Sequence, residues 1–154
     1  MRLTQFLDFD AIKPAMAAST KRGLFGMLAQ VAGPRLGIDP AVIATALSER
    51  EKTGCTGFGG GVAIPHCKLP GLTQIYALMV RLPEPIHYKA IEGAPVDLVF
   101  LLLSPPEAGA EHLKALAAIS RAVRDGPTLE KLRGGKSRDA LAAVLMSVDE
   151  PHIA

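Results

Sequence analysis

Apolar and polar positions alternate along this chain in two rhythms, one of period 3–4 and one nearly continuous. The first rhythm runs through Leu24, Leu28 and Val31 after Ser19, which predicts a helix capped by Ser19 and ended by Gly33-Pro34. It recurs at Val42, Ile43, Ala46 and Leu47, after Asp39-Pro40, where Asp serves as N-cap and Pro opens the first turn. It returns in Glu111–Arg124, where His112, Leu116, Ile119 and Val123 share one inward face. A short helix over Thr128–Arg133 and a last one capped by Ser137 and running to Met146 complete the set. The second rhythm predicts strands. Leu72–Leu82 is rich in apolar and β-branched residues and is stopped by Pro83-Glu84-Pro85. Ile86–Ala90 reads as a further short strand, followed by a turn at Ile91-Glu92-Gly93-Ala94. Val96–Leu103 is apolar almost throughout, as a strand buried on both faces should be. Ala11–Ala18 carries a proline and can be at best an edge strand.

These elements predict an α/β fold, a mixed central β-sheet flanked by helices on both faces. A chain of 154 residues fits one domain, expected over 1–148, with a frayed tail over 149–154. The 49% apolar content is enough for a well-buried core. Two cysteines could supply at most one staple, which a chain of this size does not need. Met1–Asp10 has acids where a secretory signal has its apolar core, and no apolar run reaches the ~20 residues of a membrane span. The expectation is a cytoplasmic protein with reduced cysteines and no membrane insertion. A formal net charge of +2, scattered basic residues and the absence of tryptophan argue against nucleic acid.

Candidate chemistry gathers in one segment. Gly57-Phe58-Gly59-Gly60-Gly61 leads through Val62-Ala63-Ile64 to Pro65-His66. Glycine lets backbone N–H groups approach an anion, and proline fixes the backbone just before the ring. This is neither the Walker spacing nor a dinucleotide fingerprint, so the histidine is the distinguishing part. No helix or strand period accounts for His66, and it reads as a loop residue. A neutral imidazole is a good nucleophile toward phosphorus near neutral pH. The transferring phosphoryl group then needs cationic or N–H stabilisation, for which the Gly-loop amides, Arg50 and His112 are candidates. Arg50 lies at the C-terminal end of a buried helical stripe, where the helix dipole favours a cation. On helix pattern alone it could equally snorkel to solvent or pair with Glu51. His112 on spacing alone reads as well as a hydrogen-bonded, half-buried histidine. His87 and His152 read as surface residues.

Arg50-Glu51-x-Thr53-Gly54-x-Thr56-Gly57-x-Gly59-x-Gly61-Val62-Ala63-Ile64-Pro65-His66 resembles the active-site signature of the type-2 IIA proteins of the bacterial phosphoenolpyruvate-dependent phosphotransferase system. The resemblance continues in Pro95-Val96-Asp97-Leu98-Val99-Phe100 and Glu111-His112-Leu113-x-x-Leu116, so it covers nearly the whole chain. It implies a phosphohistidine carrier in which His66 accepts a phosphoryl group from an HPr-like phosphocarrier protein. His112 and Arg50 match the family's other active-site residues. Gly59, Gly60, Gly61 and Thr56 of the same signature are the expected phosphate-binding set. The implied fold is a mixed sheet flanked by helices, and neither cofactor nor metal is called for. Cys67 departs from the family's usual glycine, and Cys55 stands where small hydroxyl residues are frequent.

Two rival chemistries use the same residues. Cys55, His66, Cys67 and His112 lack the close ligand pairs of structural zinc, and adjacent His66 and Cys67 cannot easily share one tetrahedral ion. A Cys67 nucleophile with His112 as base has no evident acid partner. Within the resemblance, the segments around Arg50-Glu51-Lys52 and Lys68-Leu69-Pro70-Gly71-Leu72 look closer to the nitrogen-regulatory type than to the fructose/mannitol type, which passes its phosphoryl group to a sugar-transporter IIB component. The nitrogen type implies a regulatory target protein, associated in this family with potassium transport, nitrogen metabolism or sensor kinases. Phe58, Val62, Leu69 and Leu72 are the expected apolar docking face.

Overall fold

The computed structural model describes residues 1–88 and 93–149. Its sheet has five strands: β1 (Gly57–Gly59), β2 (Val62–Ala63), β3 (His66–Lys68), β4 (Tyr76–Ile86) and β5 (Val96–Ser104). β5 is central. β2 and β3 lie end to end along one side of it, both parallel, while β4 runs antiparallel along the other. β1 pairs antiparallel with β2. Nearly every β5 side chain is buried, as its unbroken apolar run predicts.

The strand alternation of β5 divides the interior into two cores. Val99, Leu101 and Leu103 pack toward α1 (Lys21–Leu36) and α2 (Pro40–Lys52). Leu98, Phe100 and Leu102 pack toward α3 (Gly109–Arg124), α4 (Gly126–Gly134) and α5 (Arg138–Val148). The expected mixed sheet with helices on both faces is therefore observed. Phe100 and Leu101 have no exposed surface. Burying a side chain of that size is worth roughly 1.5–3 kcal/mol.

Three expectations about element ends need correcting. Thr20 rather than Ser19 caps α1, its hydroxyl accepting from Gly23 N at 3.0 Å. The helix also runs through Pro34 to Leu36, and Gly37 stops it at φ +68°. Only the last turn lacks the proline's N–H bond, and Gly33 has no Cβ to clash with the proline ring. Pro83-Glu84-Pro85 does not end β4. Register is lost between Arg81 and Ile86 and recovered at Ile86↔Val96, the irregularity absorbing two residues that cannot donate. The turn expected around Ile91 lies mostly outside the described residues, as does the tail beyond Asp149. The Asp149 carboxylate accepts from the N–H groups of Leu3 and Thr4.

The N-terminal segment coats the free side of β4 instead of forming a full strand. Short 3-10 turns at Leu3–Gln5 and Phe9–Ala11 are interrupted by bridges Leu7↔Ala77 and Lys13↔Val80. That covers an edge which would otherwise offer unpaired N–H and C=O groups. Asp39 caps α2 through Ala41 N at 3.0 Å, as expected, and Ser137 caps α5 through Ala140 N at 3.1 Å. On α2, Ile43 and Leu47 are buried, but Val42 is 46% exposed and lies off the inward face.

Candidate functional site

His66 is not a loop residue. It opens β3, opposite Leu102 of β5, and is hidden from the strand pattern because β3 has only three residues. On so short a strand, alternation cannot be recognised in the sequence. His66 faces the same side as Leu102, toward α3, while Cys67 faces the α1–α2 core. His112, in the first turn of α3, brings its ring centroid to 5.5 Å from that of His66, tilted by 47°. Arg50, in the last turn of α2, reaches the pair from the other helical layer, its Nη2 lying 3.4 Å from His66 Nε2.

The imidazole of His66 has a defined tautomer. Its Nδ1 is 2.6 Å from the carbonyl oxygen of Ile64, which can only accept, so Nδ1 carries the proton. The lone pair is then on Nε2, the nitrogen beside Arg50. Burial pushes the His66 pKa below the ordinary 6.5, the Ile64 bond opposes this, and the Arg50 charge adds to the lowering. His112 is likewise lowered, first by burial and then by the charges of His66, Lys68 and Arg50. Both shifts favour the neutral imidazole.

Arg50 is held by its own helix end. Its Nη1 donates to Gly54 O at 3.0 Å and to Thr53 Oγ1 at 3.1 Å. Behind it, the Glu51 carboxylate accepts from Lys21 Nζ at 2.7 Å, Thr56 Oγ1 at 2.6 Å and Thr56 N at 3.1 Å. Thr56 Oγ1 also meets the buried Tyr88 hydroxyl at 2.7 Å. Burial alone would raise the Glu51 pKa, but these hydrogen bonds outweigh it and hold the group below its ordinary value. Arg50 therefore aims at the histidines instead of pairing with Glu51.

Ala46, Glu49, Arg50, His66, Cys67, Lys68 and His112 line a cleft of about 490 Å³. It offers two cations, two neutral imidazoles and an acid, Glu49, whose carboxylate is occupied by Lys52 at 2.9 Å. This is an environment for a small dianion.

The family model described as "Phosphoenolpyruvate-dependent sugar phosphotransferase system, EIIA 2" matches residues 5–148. The chain belongs to this family. A curated relative from Bradyrhizobium diazoefficiens, "Nitrogen regulatory protein", is 44% identical over 145 residues, covering 94% of this chain and 95% of its own. A "PTS system fructose-specific EIIA component" from Haloferax volcanii is 33% identical over 133 residues, covering 86% of each. Among solved structures, the nitrogen regulatory protein IIA-Ntr of Neisseria meningitidis superposes with a TM-score of 0.87 at 31% identity, over 93% of this chain and 98% of that one.

Within this EIIA 2 fold the sequence-predicted residues separate into two groups. His66, His112 and Arg50 come together. Gly59, Gly60 and Gly61 do not join them. Val62 pairs with Leu98 and His66 with Leu102, so the glycine turn lies at least four strand steps, roughly 13 Å, up β5. There Gly60 and Gly61 take φ of +64° and +82° to make the tight β1–β2 connection. The Gly60 carbonyl accepts from the Arg133 guanidinium, which also grips Asp97. A Cβ on Gly61 would collide with that guanidinium. In this structure the glycines make a turn and a close approach at a distance from the cleft. Thr56 is likewise engaged, buried between Glu51 and Tyr88.

Two side chains of the site carried no sequence signal. Lys68 follows His66 by two and shares its face of β3. Ser104 ends β5 with no exposed surface, and its Oγ lies 2.6 Å from His112 Nδ1. β3 is too short for alternation to mark Lys68, and the pairing of β3 with β5 is what brings Lys68 and Ser104 to the site. Val62 and Leu69 are fully buried and cannot form a docking face, while Phe58 and Leu72 pack half-buried against the two cores. Leu113, which follows His112 on α3, is an exposed apolar residue, 65% exposed. The rival cysteine chemistry meets a thiol that faces away and is pushed by burial up to about 11. No helix among the described residues is long and apolar enough to cross a membrane.

Proposed function

We propose that this EIIA 2 family member is a cytoplasmic phosphohistidine carrier of the nitrogen-regulatory type, with His66 as the acceptor. The observation that carries the reading is the Nδ1–H bond to Ile64 O, which leaves the Nε2 lone pair beside Arg50 and the cleft. Nε2 attacks the phosphorus of a phosphorylated HPr-like protein. The new N–P bond forms as the donor's bond to phosphorus breaks and that donor leaves with its electron pair. The positive charge that develops on the His66 ring is shared with Ile64 O through Nδ1–H. Arg50, His112 and Lys68 face the charge on the phosphoryl oxygens. The same cluster stabilises the product, which carries nearly two negative charges at neutral pH. That gain of charge in a neutral-to-cationic cleft is what a regulatory target would read.

The regulatory assignment draws its support from the 44% identity to a nitrogen regulatory protein over nearly the full chain. A second reading, delivery to a sugar-transporter IIB component, draws on the 33% identity to a fructose-specific EIIA component. The test is phosphorylation by phosphoenolpyruvate and the upstream carriers. Wild type is expected to gain one acid-labile phosphoryl group and His66→Ala none; labelling of His66→Ala at the normal rate overturns the assignment. Rapid discharge of the phosphoprotein by a IIB domain would select the second reading.

A further inference from the structure

The geometry points to Ser104 as a positioning residue that fixes the tautomer of His112, so that His112 offers an N–H, not a lone pair, to the phosphoryl group. The transfer part of this inference rests on the function proposed above; the tautomer part stands on geometry alone. Ser104 Oγ and His112 Nδ1 are 2.6 Å apart, and Ser104 has no exposed surface. Two arrangements are compatible with that distance. In one, His112 Nδ1–H donates to the Ser104 oxygen. The hydroxyl proton of Ser104 is then left with no acceptor among the described residues, because His112 Nδ1 is the only side-chain or backbone group its Oγ meets. In the other, the Ser104 hydroxyl donates to Nδ1, and both atoms are satisfied. An unsatisfied buried donor is costly, whereas the alternative costs nothing in geometry, so the second arrangement prevails.

The consequence follows from the ring itself. A neutral imidazole carries one proton, and burial together with the nearby cationic charges keeps His112 neutral. With Nδ1 accepting from Ser104, that proton is on Nε2. This nitrogen has no partner among the described residues, and its ring borders the cleft beside His66. His112 thus presents Nε2–H as a hydrogen-bond donor, while His66, held in the opposite tautomer by Ile64 O, presents its Nε2 lone pair. The two histidines have complementary roles because two different neighbours, a carbonyl that only accepts and a hydroxyl that must donate, set their protons. Ser104 is itself held in place: its backbone oxygen accepts from Leu69 N at 2.8 Å, and its residue pairs with Lys68 across β3 and β5.

Nitrogen-15 NMR of the imidazoles in the unphosphorylated protein reports the tautomers directly. The expected result is Nδ1–H for His66 and Nε2–H for His112 in wild type, a loss of the Nε2–H preference of His112 in Ser104→Ala, and its return in Ser104→Thr, which keeps the hydroxyl. Phosphoryl transfer to His66 should slow about tenfold in Ser104→Ala and recover in Ser104→Thr. An Nδ1–H tautomer of His112 in wild type overturns the proposal without any variant being needed. So does an unchanged tautomer in Ser104→Ala. Retained labelling of His66→Ala would instead sink the carrier reading and leave the tautomer result intact.

Discussion

Arg50 Nη2 lies 3.4 Å from His66 Nε2, the nitrogen whose lone pair the Ile64 carbonyl leaves free. A guanidinium beside this nitrogen opposes its protonation and, in the transfer proposed above, would face the phosphoryl oxygens. Arg50 can do both because its other nitrogen is tied to Gly54 O and Thr53 Oγ1, which fixes the plane of the fork.

Arg50→Ala is expected to slow phosphorylation of His66 by about a hundredfold or more, the usual effect of deleting one donor aimed at transition-state charge. Arg50→Lys should recover little, since a single ammonium cannot hold Gly54 O, Thr53 and the phosphoryl oxygens together. Single-turnover transfer from a phosphorylated carrier measures both. A Lys variant as fast as wild type would reduce Arg50 to a point charge.

His66 and His112 make stability depend on pH in a predictable direction. Both are lowered from 6.5 in the folded protein, so well above that value neither state binds a proton at them and no difference arises. As pH falls below 6.5, the unfolded chain takes up protons first and folding stability is lost. Urea midpoints should drop between about pH 7 and about pH 5, above the range where carboxylates titrate. The doubly substituted His66→Gln, His112→Gln protein should drop less; an equal drop would mean that other groups govern this window.

Gly60→Ala and Gly61→Ala separate turn geometry from phosphate binding. Gly60 has open space around it but a positive φ, so Ala should cost about 1 kcal/mol. Gly61→Ala adds a collision with Arg133 and should cost about 1–3 kcal/mol. Neither should change the phosphorylation rate of folded protein by as much as twofold, a small margin beside the hundredfold of a lost donor. A large rate loss in folded Gly60→Ala would return the glycines to the site.

Cys67 should resist alkylation at about pH 8 until the protein unfolds, because its thiol is buried and pushed up to about 11. Peptide mapping after iodoacetamide treatment, with and without urea, gives the comparison. Cys67→Ala should still be phosphorylated on His66. Rapid native labelling of Cys67 would reopen the thiol chemistry.

Helices are largely legible in the sequence because their signals are local: Asp39 starts α2 by accepting from Ala41 N and Ser137 starts α5 by accepting from Ala140 N, each within three residues of its own partner. His112 was correctly placed inward from its spacing to Leu116, Ile119 and Val123. The strands around His66 were not legible, because β1, β2 and β3 are each two or three residues long and exist only by pairing with distant residues. The same cause hides the separation of the glycines from His66. Adjacent in sequence to His66, they lie up the strand from it, since an extended chain carries neighbours apart at more than 3 Å per residue. Ser104, distant from His66 in sequence, reaches the site through strand pairing.

His112 comes from the α3 layer and Arg50 from the α2 layer, and they meet at the short strand between them. The cleft is thus a vernier between two separately packed cores. An ångström of slippage in either layer, from a substitution far from any histidine, misaligns the reacting atoms and can cost about a hundredfold in rate. Kinetic defects should therefore surface in core variants whose melting temperatures are still ordinary.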